Sequence, residues 1–274
     1  MTRNRGPRIP EGADPRLFVG ALSHGLEILW AIASAARPVG IPDVVALTGL
    51  DRSMVQRVLY TLRTMAILQQ DEQTRRYVLS PRVLDLAHGF QRSDPLRRIA
   101  MPFLDDLSRR TEETVNLTEL DGADVVYVAR IPSRHVVSVD LAIGTRLPAW
   151  CTAPGRAILS ALSAEARERL VPPEPLQPRT PRTARRRAEV LARIERAARL
   201  GYALNDQEAF VGDVSVAAPV LDGQGRPAGA INIAVPLPRW SLARVRAELA
   251  PLVVQTARRI GTALGPEREG HAQQ

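Results

Sequence analysis

A run of basic and polar side chains follows Asp51 in the segment DRSMVQRVLYTLRTM. Arg pairs with guanine or phosphate, Gln pairs with adenine, and hydroxyl groups bind phosphates. The candidate nucleic-acid contacts are Arg52, Ser53, Met54, Gln56, Arg57, Tyr60, Thr61 and Arg63, with Arg75 and Arg76 in the polar turn 71–76. A solvated helix face usually mixes both charge signs, whereas this face carries only positive charge after Asp51.

Nucleophilic and metal chemistry find little support in the sequence. Cys151 and His135 are the only thiol–imidazole pair that merits attention, and no third group that would orient them is evident. The four His have no metal-ligand spacing with one another or with Cys151. Residues 223–229 miss the dinucleotide-binding glycine pattern by one residue and favour a hairpin turn. We therefore predict no catalytic residue, no metal, no cofactor and no enzymatic activity.

The helix 51–65 must present the basic face, and its neighbours indicate how. An apolar stripe at helical spacing consists of Val55, Val58, Leu59 and Leu62. Asp51 is a suitable N-cap, and Gly49 ends the preceding helix. The other predicted elements of this region are helices 18–36 and 42–48 and short strands 66–70 and 77–81 around the Arg-bearing turn.

That order of helices followed by a hairpin is typical of a winged helix-turn-helix, in which one helix enters the major groove. The buried face of the first helix is predicted to be an apolar stripe that consists of Val19, Leu22, Leu26, Leu29 and Ile32. The alternative interpretation is a small helical domain whose charged faces are merely solvated.

From residue 95 the pattern changes to strands framed by helices, which indicates an α+β sensor-type domain. Helix 81–94 is predicted as a linker. The further predicted helices are 95–113, 152–162, 188–200 and 241–263. The predicted strands are a pair within 114–131, a third strand over 136–144, one at 201–205 and a pair within 214–236.

Composition sets the outer limits of these predictions. A chain of 274 residues favours two domains, and a net charge of +8 suits a polyanionic partner. Cys151 is the only cysteine, which excludes an intrachain disulfide and fits a reducing cytoplasm. The N-terminus has no apolar signal segment, and the longest apolar run, 18–36, is interrupted by His24 and Glu27. A buried helix is therefore favoured over a membrane span, and we predict a cytoplasmic protein with no membrane partner.

The sequence resembles the IclR family of bacterial transcriptional regulators over roughly residues 18–263. The resemblance is carried by GLDRSMVQRVLYTL, YVLSPRVLDLA and above all GYALNDQEAFVGDVSVAAPVLDGQGRPAGAINIAV. Two further stretches, FVGALSHGLEIL and RIPSRHVVSVDLAIGTRLPAWCTAPGRAIL, resemble the subgroup that controls aromatic-acid catabolism through the β-ketoadipate pathway. Met54 departs from the Thr of many members, and Ala66 from the Gly that commonly follows this helix.

The resemblance implies a winged helix, a linker helix and a GAF-like effector domain, assembled as a homodimer or a dimer of dimers. The implied boundaries are a tail over 1–17, the winged helix-turn-helix over 18–80, the linker over 81–94, the effector domain over 95–265 and a tail over 266–274.

By position, the resemblance points to an effector pocket between the segment CTAPGRA and several strands. It implies Ala153, Pro154, Asn205, Ser215, Asn232 and Ala234 as effector contacts, and Tyr127, Trp150 and Cys151 can line an apolar space for an aromatic ring. A carboxylate there can use backbone N–H groups at the start of helix 152–162. Arg130, Arg134 and His135 either neutralise a carboxylate or cover a surface strand.

We therefore predict a ligand-responsive regulator that binds double-stranded DNA at a pseudo-palindromic operator through helix 52–65. The predicted effector is a small aromatic or dicarboxylic acid, and the predicted role is control of aromatic-acid catabolism. Two alternatives from other classes are a GAF-like sensor or interaction module that binds no DNA, and an enzyme that depends on Cys151.

Overall fold

A computed structural model of the chain describes residues 12–135 and 141–265. The chain divides into two compact units, Met1–Phe90 and Gln91–Gln274. Within the described ranges, no helix combines the length and the apolar character that crossing a membrane requires.

The described part of the N-terminal unit begins with three helices and a two-stranded hairpin. They are α1 (Gly20–Ala35), α2 (Ile41–Thr48), α3 (Arg52–Thr64), β1 (Leu68–Gln70) and β2 (Tyr77–Leu79). Gly49 ends α2 in the left-handed conformation at φ 69°, and Asp51 caps α3 two residues later. The tight turn between α2 and α3 follows from these two residues, and β1 pairs with β2 in antiparallel fashion.

The buried face of α1 differs from the sequence prediction. Its buried residues are His24, Ile28 and Ile32. Of the predicted stripe only Ile32 is buried and Leu29 is half-buried, whereas Val19, Leu22 and Leu26 are exposed. Because α1 is apolar around most of its circumference, periodicity alone could not decide which side packs. The core of α2, α3 and the hairpin selects the side that carries Ile28.

The predicted linker 81–94 is a 3-10 turn (Pro81–Val83) followed by α4 (Leu84–Ser93). It ends where Asp94 takes an extended conformation and caps α5 (Pro95–Thr111), accepting hydrogen bonds from the N–H groups of Leu96 and Arg97. A proline at the first position of α5 cannot continue the hydrogen bonding of α4, which separates the two helices.

The C-terminal unit is built on one antiparallel sheet with the strand order β5-β4-β3-β8-β7-β6. The strands are β3 (Thr114–Asp121), β4 (Asp124–Ile131), β5 (Arg146–Pro148), β6 (Ala203–Asp206), β7 (Asp213–Leu221) and β8 (Pro227–Pro236). The helices are α6 (Ala153–Ser160), α7 (Ala164–Leu170), α8 (Arg187–Leu200), α9 (Leu242–Arg244) and α10 (Ala250–Leu264), with a π-helical turn at Val245–Leu249. These elements confirm the predicted α+β class.

The two sheet faces have different characters. One face packs Leu117, Val216 and Ile233 against α5 and α10 in a fully apolar core. The opposite face meets α6 and α8 through small residues, including Ala217 and Ala230, and carries polar residues toward one end. The cavity described below lies at this polar end.

Two local predictions about this unit need correction. The predicted third strand, 136–144, falls partly on residues 136–140, which lie outside the described residues. Residues 141–144 form no strand, and a turn lies at 143–144. The strand that pairs with β4 is β5, which begins at Arg146. The short helix α7 was not predicted, and the predicted helix 241–263 is interrupted by the π-helical turn before Pro251, which has no N–H to donate.

Candidate DNA-binding surface and ligand cavity

The outward face of α3 is polar and exposed, and its inward face is fixed by burial. Val55 and Leu59 are fully buried, which sets the rotation of the helix. Arg52, Gln56 and Arg57 are therefore exposed, and their side chains make no hydrogen bond within the described residues. Of the other predicted contacts on α3, Ser53, Tyr60, Thr61 and Arg63 are exposed and Met54 is half-buried.

The first turn of α3 uses one of the predicted contacts for capping. Asp51 Oδ1 accepts from the Ser53 amide at 2.8 Å and from the Ser53 hydroxyl at 2.6 Å. These hydrogen bonds hold the pKa of Asp51 below its usual value. The Ser53 hydroxyl retains only its acceptor capacity and the Asp51 carboxylate stays ionised, so this end of the helix is rigid.

The hairpin is tied to α3 by a residue that sequence reasoning did not single out. The Gln70 side chain accepts from Arg63 Nη1 at 3.0 Å and donates to the Arg75 carbonyl oxygen at 3.0 Å. Arg63 also lies over the Tyr60 ring, 5.7 Å from its centroid. Gln70 thus links the C-terminal turn of α3 to the hairpin tip, where Arg75 adopts φ 58°.

Arg76, a predicted DNA contact, is already engaged in the unit. Its Nη1 donates to the Pro38 carbonyl oxygen at 3.0 Å and to Asp43 Oδ2 at 3.2 Å. Asp43 also pairs with Arg37 and caps α2 through the Gly40 amide, which lowers the pKa of Asp43, the Gly40 hydrogen bond being the largest cause. The Arg76 side chain is 44% exposed, so it faces solvent while it braces the hairpin against α2.

A groove of about 510 Å³ collects many of these residues between the start of α2, α3 and the hairpin. The predicted contacts that line it are Arg52, Gln56, Tyr60, Arg63, Arg75 and Arg76. Ser53, Met54, Arg57 and Thr61 are not among its lining residues. The groove is basic, since among the described residues that line it Asp43 has the only acidic side chain.

The C-terminal unit contains a cavity of about 340 Å³ above the polar end of its sheet. This is within the usual size range of small-molecule sites, about 300–1,000 Å³. Its wall comes from β3, β4, β7, β8, the start of α6 and the loop 207–212. Seven of the nine predicted effector contacts line it: Tyr127, Ala153, Pro154, Asn205, Ser215, Asn232 and Ala234.

The remaining two predicted contacts, Trp150 and Cys151, do not line the cavity. Both are buried in the core beneath α6, and Cys151 Sγ donates to the Pro148 carbonyl oxygen at 3.6 Å. Burial raises the pKa of the Cys151 thiol to about 11. A thiol with such a pKa stays protonated at neutral pH, which argues against nucleophilic use.

A row of polar side chains crosses the cavity floor because strand register places them side by side. Asn116 on β3 lies opposite Arg130 on β4 and opposite Asn232 on β8. Arg130 Nη1 donates to Asn116 Oδ1 at 3.2 Å. Asn116 Nδ2 and Asn232 Oδ1 are buried and have no hydrogen-bond partner among the described residues. A donor and an acceptor without partners therefore lie next to each other on the floor.

Asn205 has a supporting role, since both ends of its amide are used. Its Nδ2 donates to the Cys151 carbonyl oxygen at 2.6 Å, and its Oδ1 accepts from the Glu208 amide at 3.0 Å. The same loop is anchored through Glu208, whose carboxylate pairs with Arg156 and Arg193. The segment before α6 and the loop over the cavity are thereby held in one place.

The start of α6 offers fewer N–H groups to an anion than the sequence analysis expected. Thr152 Oγ1 accepts from the Gly155 amide at 3.2 Å, the Arg156 amide donates to the Thr152 carbonyl oxygen, and Pro154 has no N–H. Of the first four residues of α6, only Ala153 has a backbone N–H that is not used within the described residues. Gly155 is required here, since a Cβ at this position would lie 2.2 Å from the Ala149 carbonyl oxygen.

Among the described residues that line the cavity, Arg130 is the only basic residue and Asp213 is the only carboxylic acid. Burial raises the pKa of Asp213 to about 7, and the positive charge of Arg130 opposes that shift. Burial likewise raises the pKa of Tyr127, so its phenol stays neutral.

Thr114, Asn116 and Asp213 also line the cavity and were not predicted from the sequence. The available signal was the alternation of polar residues at 114, 116 and 118 in a strand that is otherwise buried.

Two family domains match the chain over most of its length. The IclR helix-turn-helix domain matches residues 21–72, and the domain described as "Bacterial transcriptional regulator IclR C-terminal" matches residues 89–262. Their order and extent agree with the winged helix-turn-helix and sheet domain described above.

Individual proteins support the same relationship. The Pca regulon regulatory protein of Pseudomonas putida is 31% identical over 88% of this chain and 82% of its own length. A solved putative transcriptional regulator from Rhodococcus sp. RHA1 is 33% identical, with a TM-score of 0.78 over 90% of this chain and 98% of that chain. The PobR inducer-binding domain from Acinetobacter, a double mutant in complex with 3-hydroxybenzoic acid, is 29% identical, with a TM-score of 0.55 over 60% of this chain and 95% of that chain.

Proposed function

The chain belongs to the IclR family of bacterial transcriptional regulators, and we propose that it binds a pseudo-palindromic operator through α3 and its hairpin. In this proposal the chain acts as a homodimer, and a small acid in the C-terminal cavity changes its affinity for the operator. The regulated genes serve the catabolism of aromatic acids, in keeping with the likeness to the PobR inducer-binding domain.

The observation that carries the proposal is the outward face of α3. Arg52, Gln56 and Arg57 are exposed and make no side-chain hydrogen bond within the described residues, so they are available to an external partner. In the major groove, Arg binds guanine or phosphate and Gln binds adenine. Gln70 links Arg63 to the Arg75 carbonyl oxygen. In this proposal the two arginines contact the phosphate backbone of the DNA next to the major groove.

A second copy of the chain is the proposed partner for the apolar face of α1. This face exposes Val19, Leu22, Leu26 and Trp30, and Trp30 is 66% exposed. Monomeric proteins rarely expose a contiguous apolar stripe of this kind. Leu86 and Phe90 on α4 are exposed in the same unit and add apolar surface. A symmetric pair of N-terminal units would place two α3 helices on successive half-sites of the operator.

The proposed effector is a small aromatic or dicarboxylic acid, and the aromatic class is favoured. Arg130 and the Ala153 amide at the start of α6 give the cavity two positive sources for a carboxylate. Ala234, Pro154 and Tyr127 supply apolar wall for a ring. The acid changes operator affinity only if it binds the DNA-bound and free arrangements with different affinity.

Binding of the full chain to DNA from upstream of its own gene, measured by fluorescence anisotropy over a range of salt concentrations, tests the proposal. Arg57→Ala should weaken operator binding about tenfold or more and reduce the slope of log affinity against log salt by about one. Arg199→Ala is a matched control, because Arg199 is an exposed arginine on α8 of the other unit. Unchanged affinity in Arg57→Ala, with circular dichroism intact, would contradict the assignment of this face.

A further inference from the structure

The loop 207–212, which connects β6 to β7, forms an outer wall of the cavity. Its residues 209–212 all line the cavity. Val211 is nevertheless 74% exposed, whereas Ser215 on the neighbouring strand is 6% exposed. A segment that borders both the cavity and the solvent separates the two, so an outward movement of this loop would open the cavity.

The first half of the loop is held by a segment that is remote in sequence. The Thr180 hydroxyl donates to the Gln207 carbonyl oxygen at 2.7 Å, and the Thr183 hydroxyl donates to the Glu208 carbonyl oxygen at 2.7 Å. Both threonines are buried, and a buried hydrogen bond is costly to break. Residues 207 and 208 are therefore a fixed point of the loop.

The second half of the loop is held by Arg179. The guanidinium of Arg179 lies over the Phe210 ring, 5.5 Å from its centroid, and its Nε donates to the Ala209 carbonyl oxygen at 3.4 Å. Apart from the turn in which the Asp213 amide donates to Phe210, this is the only hydrogen bond that the described residues form with residues 209–211. Arg179 is exposed, and a cation–π contact at an exposed site is weak enough to open and close.

Building on the proposed function, we propose that Arg179 is the latch of the effector cavity: it keeps Phe210 closed over the bound acid, and its release opens the path by which the acid enters and leaves. Phe210 lines the cavity and packs against the core beneath α6, so the closed position of its ring is defined. Arg179 is not among the described lining residues, which makes it a positioning residue that acts through Phe210.

The latch controls rates more than affinity. Arg179 stabilises the closed loop with and without the acid, so its loss increases the population of the open loop in both states. The rates of entry and release then rise together, and their ratio stays nearly constant. A residue that only supported the shape of the site would lower the affinity instead.

Thiol labelling of the full chain measures this opening without any ligand. Ser215→Cys places a thiol in the cavity wall, and peptide mass spectrometry separates it from the buried Cys151. Methyl methanethiosulfonate, a small neutral reagent, should label the new thiol about three- to tenfold faster when Arg179→Gln is added, because a cation–π contact and a hydrogen bond are lost. Arg182→Gln is the matched control: Arg182 is an exposed arginine of the same segment, but it pairs with Asp206 beside the fixed half of the loop, at 2.7 Å. It should leave the labelling rate unchanged.

Phe210→Leu tests whether the latch acts through the aromatic ring. This variant keeps an apolar side chain against the core and removes the face over which Arg179 lies. It should accelerate labelling about as much as Arg179→Gln does, and the two substitutions together should add less than about twofold to either one alone.

Stopped-flow kinetics with 3-hydroxybenzoate as the probe acid extend the test to binding. In Arg179→Gln the association and dissociation rate constants should both rise about three- to tenfold, while their ratio changes less than about twofold. Lower affinity with unchanged rates of labelling would mean that Arg179 only supports the loop, and it would overturn the latch.

The outcomes separate this inference from the proposal on which it rests. Unchanged labelling in Arg179→Gln overturns the latch, whether or not the acid binds. Equal acceleration in Arg182→Gln overturns the specific role of Arg179, because loosening any part of the segment would then open the loop. Accelerated labelling in Arg179→Gln alone supports the latch even if the acid does not bind, and that absence of binding would count against the proposed effector class.

Discussion

The outward face of α3 and the cavity floor both contain polar side-chain atoms that have no hydrogen-bond partner among the described residues, but in opposite surroundings. Arg57 on α3 is exposed and hydrated, whereas Asn116 and Asn232 are almost completely buried. Water solvates the first group until a partner arrives, so binding gains mainly from charge and the release of counterions. The second group has no such compensation, so each mismatch with a ligand costs the full desolvation of a polar atom.

The two regions should therefore differ in what they discriminate. A hydrated basic face tolerates many partners weakly, and its affinity depends on salt. A buried polar floor binds few ligands but distinguishes them by single atoms. A regulator needs both properties, since it must search a long polyanion and yet respond to one metabolite.

The largest expected effect comes from a substitution that weakens binding of the acid and leaves operator binding intact. Ser215 faces the cavity from β7, opposite Ala234 on β8. Ser215→Phe should fill the space and weaken binding of the acid about a hundredfold, because a ring at this point excludes the ligand. Operator affinity without the acid should stay within about twofold, since α3 and its core are unchanged.

Calorimetry with the acid and anisotropy with the operator measure the two parts of this prediction. Gln224→Phe provides a control, because it adds the same ring at the exposed turn between β7 and β8. Acid binding that survives Ser215→Phe would show that the effector binds elsewhere.

The same contrast explains how far the sequence could predict each region. The rotation of α3 follows from local periodicity, so its exposed residues could be named from the stripe at Val55 and Leu59. The cavity floor depends on the register of strands that are far apart in the chain, as Asn116 and Asn232 are. The family resemblance supplied Asn232 and Ser215, but it did not supply Asn116 or Asp213. Which side of α1 packs also depended on tertiary contacts, because both sides are apolar.

A smaller effect concerns the response of acid binding in the cavity to pH between pH 6 and 8. The pKa of Asp213 is about 7 because of burial, with Arg130 opposing. An anionic ligand nearby raises this pKa further, so binding takes up a proton and strengthens as pH falls. We expect roughly a threefold to tenfold gain in acid affinity from pH 8 to pH 6. Operator binding should change less, since it depends on guanidinium groups, which are not deprotonated in proteins.

Asp213→Asn sharpens the test. The affinity of this variant for the acid should not vary with pH. It should equal the affinity of the unaltered chain at pH 6. Because the folded-state pKa of Asp213 lies above its usual value of 3.8, its contribution to stability is present at low pH and is lost as pH rises through about 7. Asp213→Asn should therefore raise the melting temperature more at pH 8 than at pH 5. A pH profile that is unchanged by Asp213→Asn would exclude this carboxyl as the source.

The smallest expected effect is at Gln70, an uncharged residue that connects α3 to the hairpin. Gln70 holds Arg63 and the Arg75 carbonyl oxygen, each at 3.0 Å. An exposed hydrogen bond contributes about 0.5–1 kcal/mol, and of the two at Gln70 only the bond to Arg63 holds an arginine side chain in place, so Gln70→Ala should weaken operator binding about threefold. The slope of affinity against salt should not change, because no phosphate contact is removed. Gln69→Ala, at an exposed neighbour on the same strand, should leave affinity unchanged. A reduced salt slope in Gln70→Ala would mean that Gln70 acts through the charges of Arg63 and Arg75 at the DNA, and an unaltered affinity would mean that the hairpin holds its position without this link.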